Sequence, residues 1–257
     1  MTNPLVAVVT GAAGGIGKAL VLHLARQGAH VVGTCRGDDE ERGALAEEIR
    51  DAGGEALILK VDVRDRAQIV NLGDQAVRTF GHIDFWVNNA ARLMVKPFLE
   101  TTEDDWADLL QTNFMGYVWG CQSAAQHMMA RGRGSIVNVS SVVFEQPPTE
   151  LCAYVSAKGA ITGLSRALAV ELGAFGITVN TIAPGATETP LNDEAWSEDV
   201  RARYRKRIPL GRIGSPEEVA AAIALFAEPG AAYITGETVR VDGGLVLDGS
   251  VGHGYSS

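Results

Sequence analysis

Cysteine is scarce in this 257-residue chain: Cys35, Cys121 and Cys152 are odd in number and show neither a C-x-x-C pair nor metal-ligand spacing. They supply no disulfide framework and no cysteine metal site to read. Basic residues are outnumbered, 22 Lys+Arg against 31 Asp+Glu, for a formal net charge of −9 and a sequence pI near 5.1. An acidic total argues against a surface built mainly to grip nucleic acid or anionic lipid. No uninterrupted apolar stretch reaches the roughly 18 residues that a membrane-spanning helix needs. The opening run MTNPLVAVVTG has no basic n-region and passes straight into a strand pattern, so the expectation is a cytoplasmic protein without a signal peptide. Repeats, low-complexity tracts and linkers are lacking as well. What is present is 46% hydrophobic and 21% charged residues, enough apolar content for one sizeable core. A single domain over residues 1–257 is expected from that length.

Short β-rich apolar runs alternate with longer amphipathic stretches. Strands are predicted at 5–10, 30–35, 55–61, 83–88, 135–140, 177–183 and 238–241, several of them nearly continuous apolar runs of the kind buried on both faces. Helical spacing joins Ile16, Leu20 and Leu24, then Ile69, Leu72, Ala76 and Phe80, then Ile161, Leu164, Leu168, Leu172 and Phe175. Ser215-Pro216-Glu217-Glu218 reads as a capping box with proline at the first helical position. Strand–helix alternation over the whole length predicts an α/β fold, a single doubly wound Rossmann-type parallel sheet with helices on both faces. Residues 187–212 break the rhythm with charges, Pro190 and Pro209. In such a sheet ligands bind beyond the carboxyl ends of the strands, so this excursion is expected to be a substrate lid.

The first candidate motif, Thr10-Gly11-Ala12-Ala13-Gly14-Gly15-Ile16-Gly17, directly follows strand one and opens a helix. Glycines there allow a tight turn and close approach of backbone N–H groups to a pyrophosphate, with the helix N-terminus adding partial positive charge. The spacing departs from G-x-G-x-x-G, so position in the chain carries the reading. Ribose is read at the end of the second strand, where Arg36 stands rather than an acid. A guanidinium suits a 2′-phosphate and a carboxylate would repel one, which favours NADP with NAD as the alternative. Pairing of Arg36 with Asp38, Asp39 or Glu40 is the competing interpretation.

The second candidate is Tyr154-Val155-Ser156-Ala157-Lys158, which puts tyrosine and lysine on one helix face at i, i+4. A nearby ammonium stabilises phenolate and lowers a tyrosine pKa from about 10. Alone, the pattern is common. Its company is Val137-Asn138-Val139-Ser140-Ser141, polar residues closing a strand where this architecture builds sites.

Taken together, these residues resemble the short-chain dehydrogenase/reductase family over nearly the whole chain. The glycine turn, Asn88-Asn89-Ala90, the Ser141/Tyr154/Lys158 set, Pro184-Gly185 and the closing Val241-Asp242-Gly243-Gly244 stand in the family's order and spacing. The resemblance implies that Tyr154 is the general acid/base, that Lys158 depresses its pKa and binds ribose hydroxyls, and that Ser141 hydrogen-bonds the substrate oxygen. It further implies that Asn113 supports a water relay and that Gly11, Gly15, Ile16 and Gly17 surround the pyrophosphate. Asp62 and Val63 would contact adenine, Asn89 the adenosine side, and Pro184, Gly185, Thr187 and Thr189 the carboxamide end. A homo-oligomer, a tetramer, is implied by resemblance alone. Ala91 stands where the family usually has glycine, and Gly14 where many NADP-binding relatives carry a basic residue.

The predicted activity is hydride transfer between nicotinamide and a secondary alcohol or carbonyl. Glu145-Gln146-Pro147-Pro148 looks polar enough to bind hydroxyls, which tilts the substrate toward a sugar or polyol. The alternatives are a 3-oxoacyl-thioester reductase and a non-catalytic nucleotide-sensing protein on the same fold. Ser140 reads as a packing residue facing away from Ser141, Trp86 and Trp119 as core, and Cys152 as a pocket neighbour. His23, His82 and His127 read as surface or satisfied histidines rather than metal ligands. Arg201, Arg203, Arg205, Lys206 and Arg207 read as a solvated helix face balanced by Asp193, Glu194, Glu198 and Asp199, rather than as an anion site. The glycine-rich stretch 251–257 is a candidate interface tail.

Overall fold

Seven strands form one sheet in the computed structural model, which describes residues 3–193 and 195–247. They are β1 (Val6–Val9), β2 (His30–Cys35), β3 (Glu55–Lys60), β4 (Phe85–Asn88), β5 (Gly134–Val139), β6 (Ile177–Pro184) and β7 (Thr238–Val241). All pairings are parallel, in the order β3-β2-β1-β4-β5-β6-β7. Every predicted strand is present, with ends displaced by one or two residues, the usual uncertainty of element boundaries. The helices are α1 (Gly15–Arg26), α2 (Asp39–Asp51), α3 (Arg66–Phe80), α4 (Glu103–Leu110), α5 (Gly116–Met129), α6 (Cys152–Leu172), α7 (Pro190–Asp193), α8 (Glu198–Arg207) and α9 (Pro216–Ala224). No helix among the described residues is long and apolar enough to cross a membrane.

Period-two alternation divides the strands between two apolar layers. Ala7 and Val9 join Leu20, Leu24, Ile49 and Ile223 on one face, while Val8, Val32 and Trp86 join Ile69, Leu72 and Met128 on the other. Both faces being covered, all four residues of β1 are buried. Trp86 is core as expected, whereas Trp119 is only half-buried, packed against the second cluster with the Arg66 guanidinium over its ring. Local signals set the helix ends. Asp65 accepts the N–H groups of Ala67 and Gln68 to start α3, and Gly81 ends it in the left-handed region at φ 86°. Ser215 and Glu218 close the expected capping box of α9 behind Pro216.

Strand order reverses between β2-β1 and β4-β5, so the loops after β1 and β4 diverge to opposite sides and leave a crevice. Residues 187–212 fold into α7 and α8 and contribute Leu191, Trp196, Tyr204 and Arg207 to the wall of that crevice. Cys152 is exposed and off the cleft wall, which corrects its expected place as a pocket neighbour. The stretch 251–257 lies outside the described residues.

Candidate active site

A cleft of about 1020 Å³ runs along the carboxyl ends of the strands. All the expected site residues line it except Gly17 and Asn113. At the nucleotide end Gly11 and Gly15 adopt φ of 69° and 51°, conformations that side chains resist. A Cβ on Gly17 would lie 2.0 Å from the Gly11 carbonyl oxygen, so that glycine serves helix–turn packing rather than the cleft surface. Helix α1 has Gly14 at its N-cap and therefore no side-chain cap, which leaves its first N–H groups to the cleft. That turn fits a pyrophosphate. Thr34 Oγ1 accepts the Gly11 N–H at 2.9 Å, and Thr10 Oγ1 accepts those of Asn89 and Ala90 at 2.9 and 3.1 Å. Asn89 Nδ2 in turn donates to the carbonyls of Thr10 and Gly11 at 3.0 and 3.1 Å. Asn89 thus ties the end of β4 to the glycine turn.

Arg36 is exposed on the rim. Asp38 caps α2 through the Glu41 N–H, and Asp39 pairs with Arg42, so the first two acids suggested as partners for Arg36 are engaged elsewhere. Glu41 reaches the same rim: a Cβ on Gly37 would meet its carboxylate, and both residues line the cleft. Asp62 is held by Arg64 at 2.6 Å, and that hydrogen bond keeps its carboxyl below the ordinary range. Arg64 continues to Asp108 at 2.8 Å, which also pairs with Arg92. Two acids and two arginines make an unbroken chain of charge along this wall of the cleft.

Tyr154 and Lys158 stand one turn apart on α6, both buried, with Lys158 Nζ 5.6 Å from the Tyr154 ring centroid. Nζ donates to the Val139 carbonyl at 2.7 Å and to the Tyr117 hydroxyl at 3.3 Å. Burial pushes the lysine down to about 7. Burial also raises Tyr154 above the usual phenol range, with the Ser141 hydroxyl opposing the rise. The expectation of a tyrosine lowered by its lysine is therefore reversed, because the loss of water around the buried phenol outweighs the Ser141 hydrogen bond. Ser141 begins the 3-10 turn Val142–Phe144 and accepts the Val143 N–H at 3.4 Å. Ser140 is more than a packing residue: its hydroxyl donates to the Lys158 carbonyl at 2.7 Å and fixes α6 against β5.

Asn113 lies in a π-helical turn, Gln111–Met115, between α4 and α5. Its amide accepts the Arg92 N–H at 2.9 Å and donates to the Arg92 carbonyl at 2.8 Å. Fully buried, it holds the segment after β4 and is absent from the cleft wall. Pro184 and Gly185 end β6, where a Cβ on Gly185 would sit 2.6 Å from the Asp242 side chain. Thr187 and Thr189 are buried, and Thr189 flanks Gly15 across the cleft.

At the opposite end Leu93, Val143, Leu151, Trp196 and Leu245 line the wall together with the polar Gln146 and Arg207. Glu145 is clamped by Arg240 at 2.9 and 2.7 Å and is absent from the cleft wall, whereas Gln146, Pro147 and Pro148 of the same stretch line it. Sequence reasoning named Thr10 as the start of the glycine motif but missed Tyr117 and Thr34. Tyr117 follows Asn113 by one helical turn, the single local signal for it.

Seven parallel strands, a glycine turn under a free helix N-terminus and a buried Tyr–Lys pair define a nucleotide-binding oxidoreductase architecture. A family model described as enoyl-(acyl carrier protein) reductase matches residues 11–246. The chain is 37% identical over 242 residues to 3beta-hydroxysteroid dehydrogenase 1 of Eggerthella lenta, covering 93% of each. It is 35% identical to a 3-oxoacyl-(acyl-carrier-protein) reductase of Staphylococcus aureus, covering 94% of this chain and 98% of that one. A structure of a variant actinorhodin polyketide ketoreductase with NADPH superposes with a TM-score of 0.89 at 34% identity, covering 95% of this chain and 97% of that one. The chain belongs to the short-chain dehydrogenase/reductase family, nicotinamide-dependent oxidoreductases of alcohol and carbonyl substrates.

Proposed function

We propose that the protein is an NADP(H)-dependent oxidoreductase of a secondary alcohol or ketone carried on a largely apolar skeleton. The observation that carries the chemistry is the buried Tyr154–Lys158 pair facing Ser141 in the cleft. A non-catalytic nucleotide sensor would have no use for it. The cofactor, when bound, supplies or accepts the hydride. Tyr154 holds the proton that the substrate oxygen gains or loses, and Ser141 donates to that oxygen as charge develops. Lys158 acts on the tyrosine by charge: phenolate and ammonium are each disfavoured by burial alone and stabilise one another when both form. Asn113 serves as a positioning residue through the Arg92 backbone.

Gly11, Gly15, Gly17 and the start of α1 would hold the pyrophosphate, Asp62, Val63 and Asn89 the adenosine, and Pro184, Gly185, Thr187 and Thr189 the carboxamide end. Arg36, left unpaired by Asp38 and Asp39, supports the 2′-phosphate reading. Glu41 beside it works against a phosphate and makes the preference over NAD modest. The apolar wall residues at this end and the clamped Glu145 shift the substrate away from a sugar or polyol. The two curated relatives are named for a steroid and for an acyl thioester, both apolar skeletons. The segment 187–212 acts as the lid of this site, and the homo-oligomer implied by family likeness is part of the proposal, to be read by sedimentation. Tyr154→Phe is expected to abolish turnover and retain NADPH binding; undiminished turnover would overturn the assignment.

A further inference from the structure

The charges on the cleft wall do not balance evenly along its length. Asp62, Arg64, Asp108 and Arg92 neutralise one another, and Lys158 is buried against Val139 and Tyr117. Two cations of the wall make no salt bridge among the described residues, and they stand at opposite ends. Arg36 is at the nucleotide end. Arg207, in the last turn of the lid helix α8, is at the other.

The basic residues of α8 separate on the same criterion. Arg201 is paired with Glu188 and Asp193, and Arg205 with Glu198, while Arg203 and Lys206 make no salt bridge among the described residues but lie off the cleft wall. Arg207 instead turns to the cleft, where its Nη2 donates to the neutral Gln146 Oε1 at 3.1 Å. Gln146 is itself oriented by donating to the Val246 carbonyl at 3.0 Å. A neutral amide leaves the guanidinium its charge and most of its five donors. Gln146 follows Ser141 by five residues, and Arg207 immediately precedes Ile208, which packs with Val142 and Leu245. The free cation therefore borders the substrate end.

We propose that Arg207 is a binding site for an oxyanion on the substrate, and that the substrate is an apolar secondary alcohol or ketone bearing a carboxylate remote from the reacting carbon. The planar fork of a guanidinium matches a carboxylate in two parallel hydrogen bonds, and the apolar wall residues suit the carbon skeleton between the two ends. This rests on the substrate end of the cleft assigned above.

The test uses oxo acids with the carbonyl three to about ten carbons from the carboxylate, each beside its methyl ester, assayed with NADPH. At the best-fitting spacing kcat/KM is expected to favour the acid by about tenfold, the worth of one hydrogen bond to a charged group. Arg207→Met should bring the acid-to-ester ratio to near one, chiefly through KM, and Arg207→Lys should restore part of it. Gln146→Leu should keep the ratio; if it erased the preference as Arg207→Met does, Arg207 would be a lid latch and not an anion anchor. Esters equal to acids at every spacing would overturn the proposal. Binding of octanoate against octanamide to the NADPH complex gives a second readout that needs no turnover, and absence of an Arg207-dependent preference for octanoate overturns it likewise. NADPH binding measured in the same samples separates failure of this site from failure of the cofactor reading.

Discussion

Lys158 and Tyr117 converge on one acceptor: the ammonium donates to the Val139 carbonyl at 2.7 Å and the phenol donates to the same oxygen at 3.0 Å. Tyr117 also accepts from the ammonium at 3.3 Å, so the three atoms form a closed triangle beneath Tyr154. Tyr117→Phe removes one hydroxyl, leaves Val139 still satisfied, and frees the lysine to swing. It should cost about 1 kcal/mol of stability. Turnover should fall about tenfold through kcat with cofactor affinity held, because a misplaced lysine no longer stabilises the phenolate. Equal loss in KM and kcat would argue against a positioning role.

Lys158 also writes a pH dependence into stability. Its folded pKa, about 7, lies below the ordinary 10.5 because burial disfavours the ammonium. Between those values the unfolded chain binds a proton that the folded chain does not, so this group makes stability rise with pH across that window. Below about pH 7 the cost of burying the charge is present in full. Lys158→Met should therefore stabilise the cofactor-free protein most near pH 6, with the gain shrinking toward about pH 10. Thermal melts at a series of pH values measure it, and a pH-independent difference would refute the assignment.

The two glycines at the start of α1 should respond oppositely. Gly17→Ala drives a methyl to within 2.0 Å of a carbonyl oxygen and should abolish cofactor binding. Gly14 has extended backbone and open space around its missing Cβ. Gly14→Arg should therefore fold normally and tighten NADPH by about tenfold while leaving NADH nearly unchanged. Fluorescence titration of both cofactors decides it.

A buried amide chain crosses the sheet from β4 to α6. Trp86 Nε1 donates to Asn88 Oδ1 at 2.8 Å, Asn88 Nδ2 to Asn138 Oδ1 at 2.8 Å, and Asn138 Nδ2 to Ser165 Oγ at 2.9 Å. Asn138→Leu removes the best acceptor of Asn88 and the donor to Ser165, leaving them only the Tyr117, Cys121 and Ile161 contacts, and should cost about 2 kcal/mol in urea unfolding. A double-mutant cycle with Asn88→Ala should show strong coupling, since both changes break the same chain.

The sheet and its helices were legible because apolar periodicity and caps are local properties, as Ser215-Pro216-Glu217-Glu218 and the runs of β1 and β2 show. The cleft residues were legible where a motif carried them: the glycine turn, Ser141, Tyr154 and Lys158. Glu145 misled, because its partner Arg240 lies 95 positions away and no local pattern announces that pairing. Ser140 misled for a different reason. Strand alternation correctly turns it from Ser141, but α6 passes on that side, and burial there demanded a partner for its hydroxyl. The direction of the Tyr154 shift depended on how completely the site excludes water, which no residue type encodes.

The π-helical turn at Gln111–Met115 behaves as an insertion. One additional residue in the turn offsets the angular phase of everything after it by about 100° relative to an uninterrupted helix. Deleting a single residue there would not simply shorten a connection. It would cancel that offset and merge α4 and α5 into one continuous spiral, leaving Tyr117, Cys121 and Ala124 near the faces they now fill and removing the bulge from which Asn113 grips both backbone groups of Arg92.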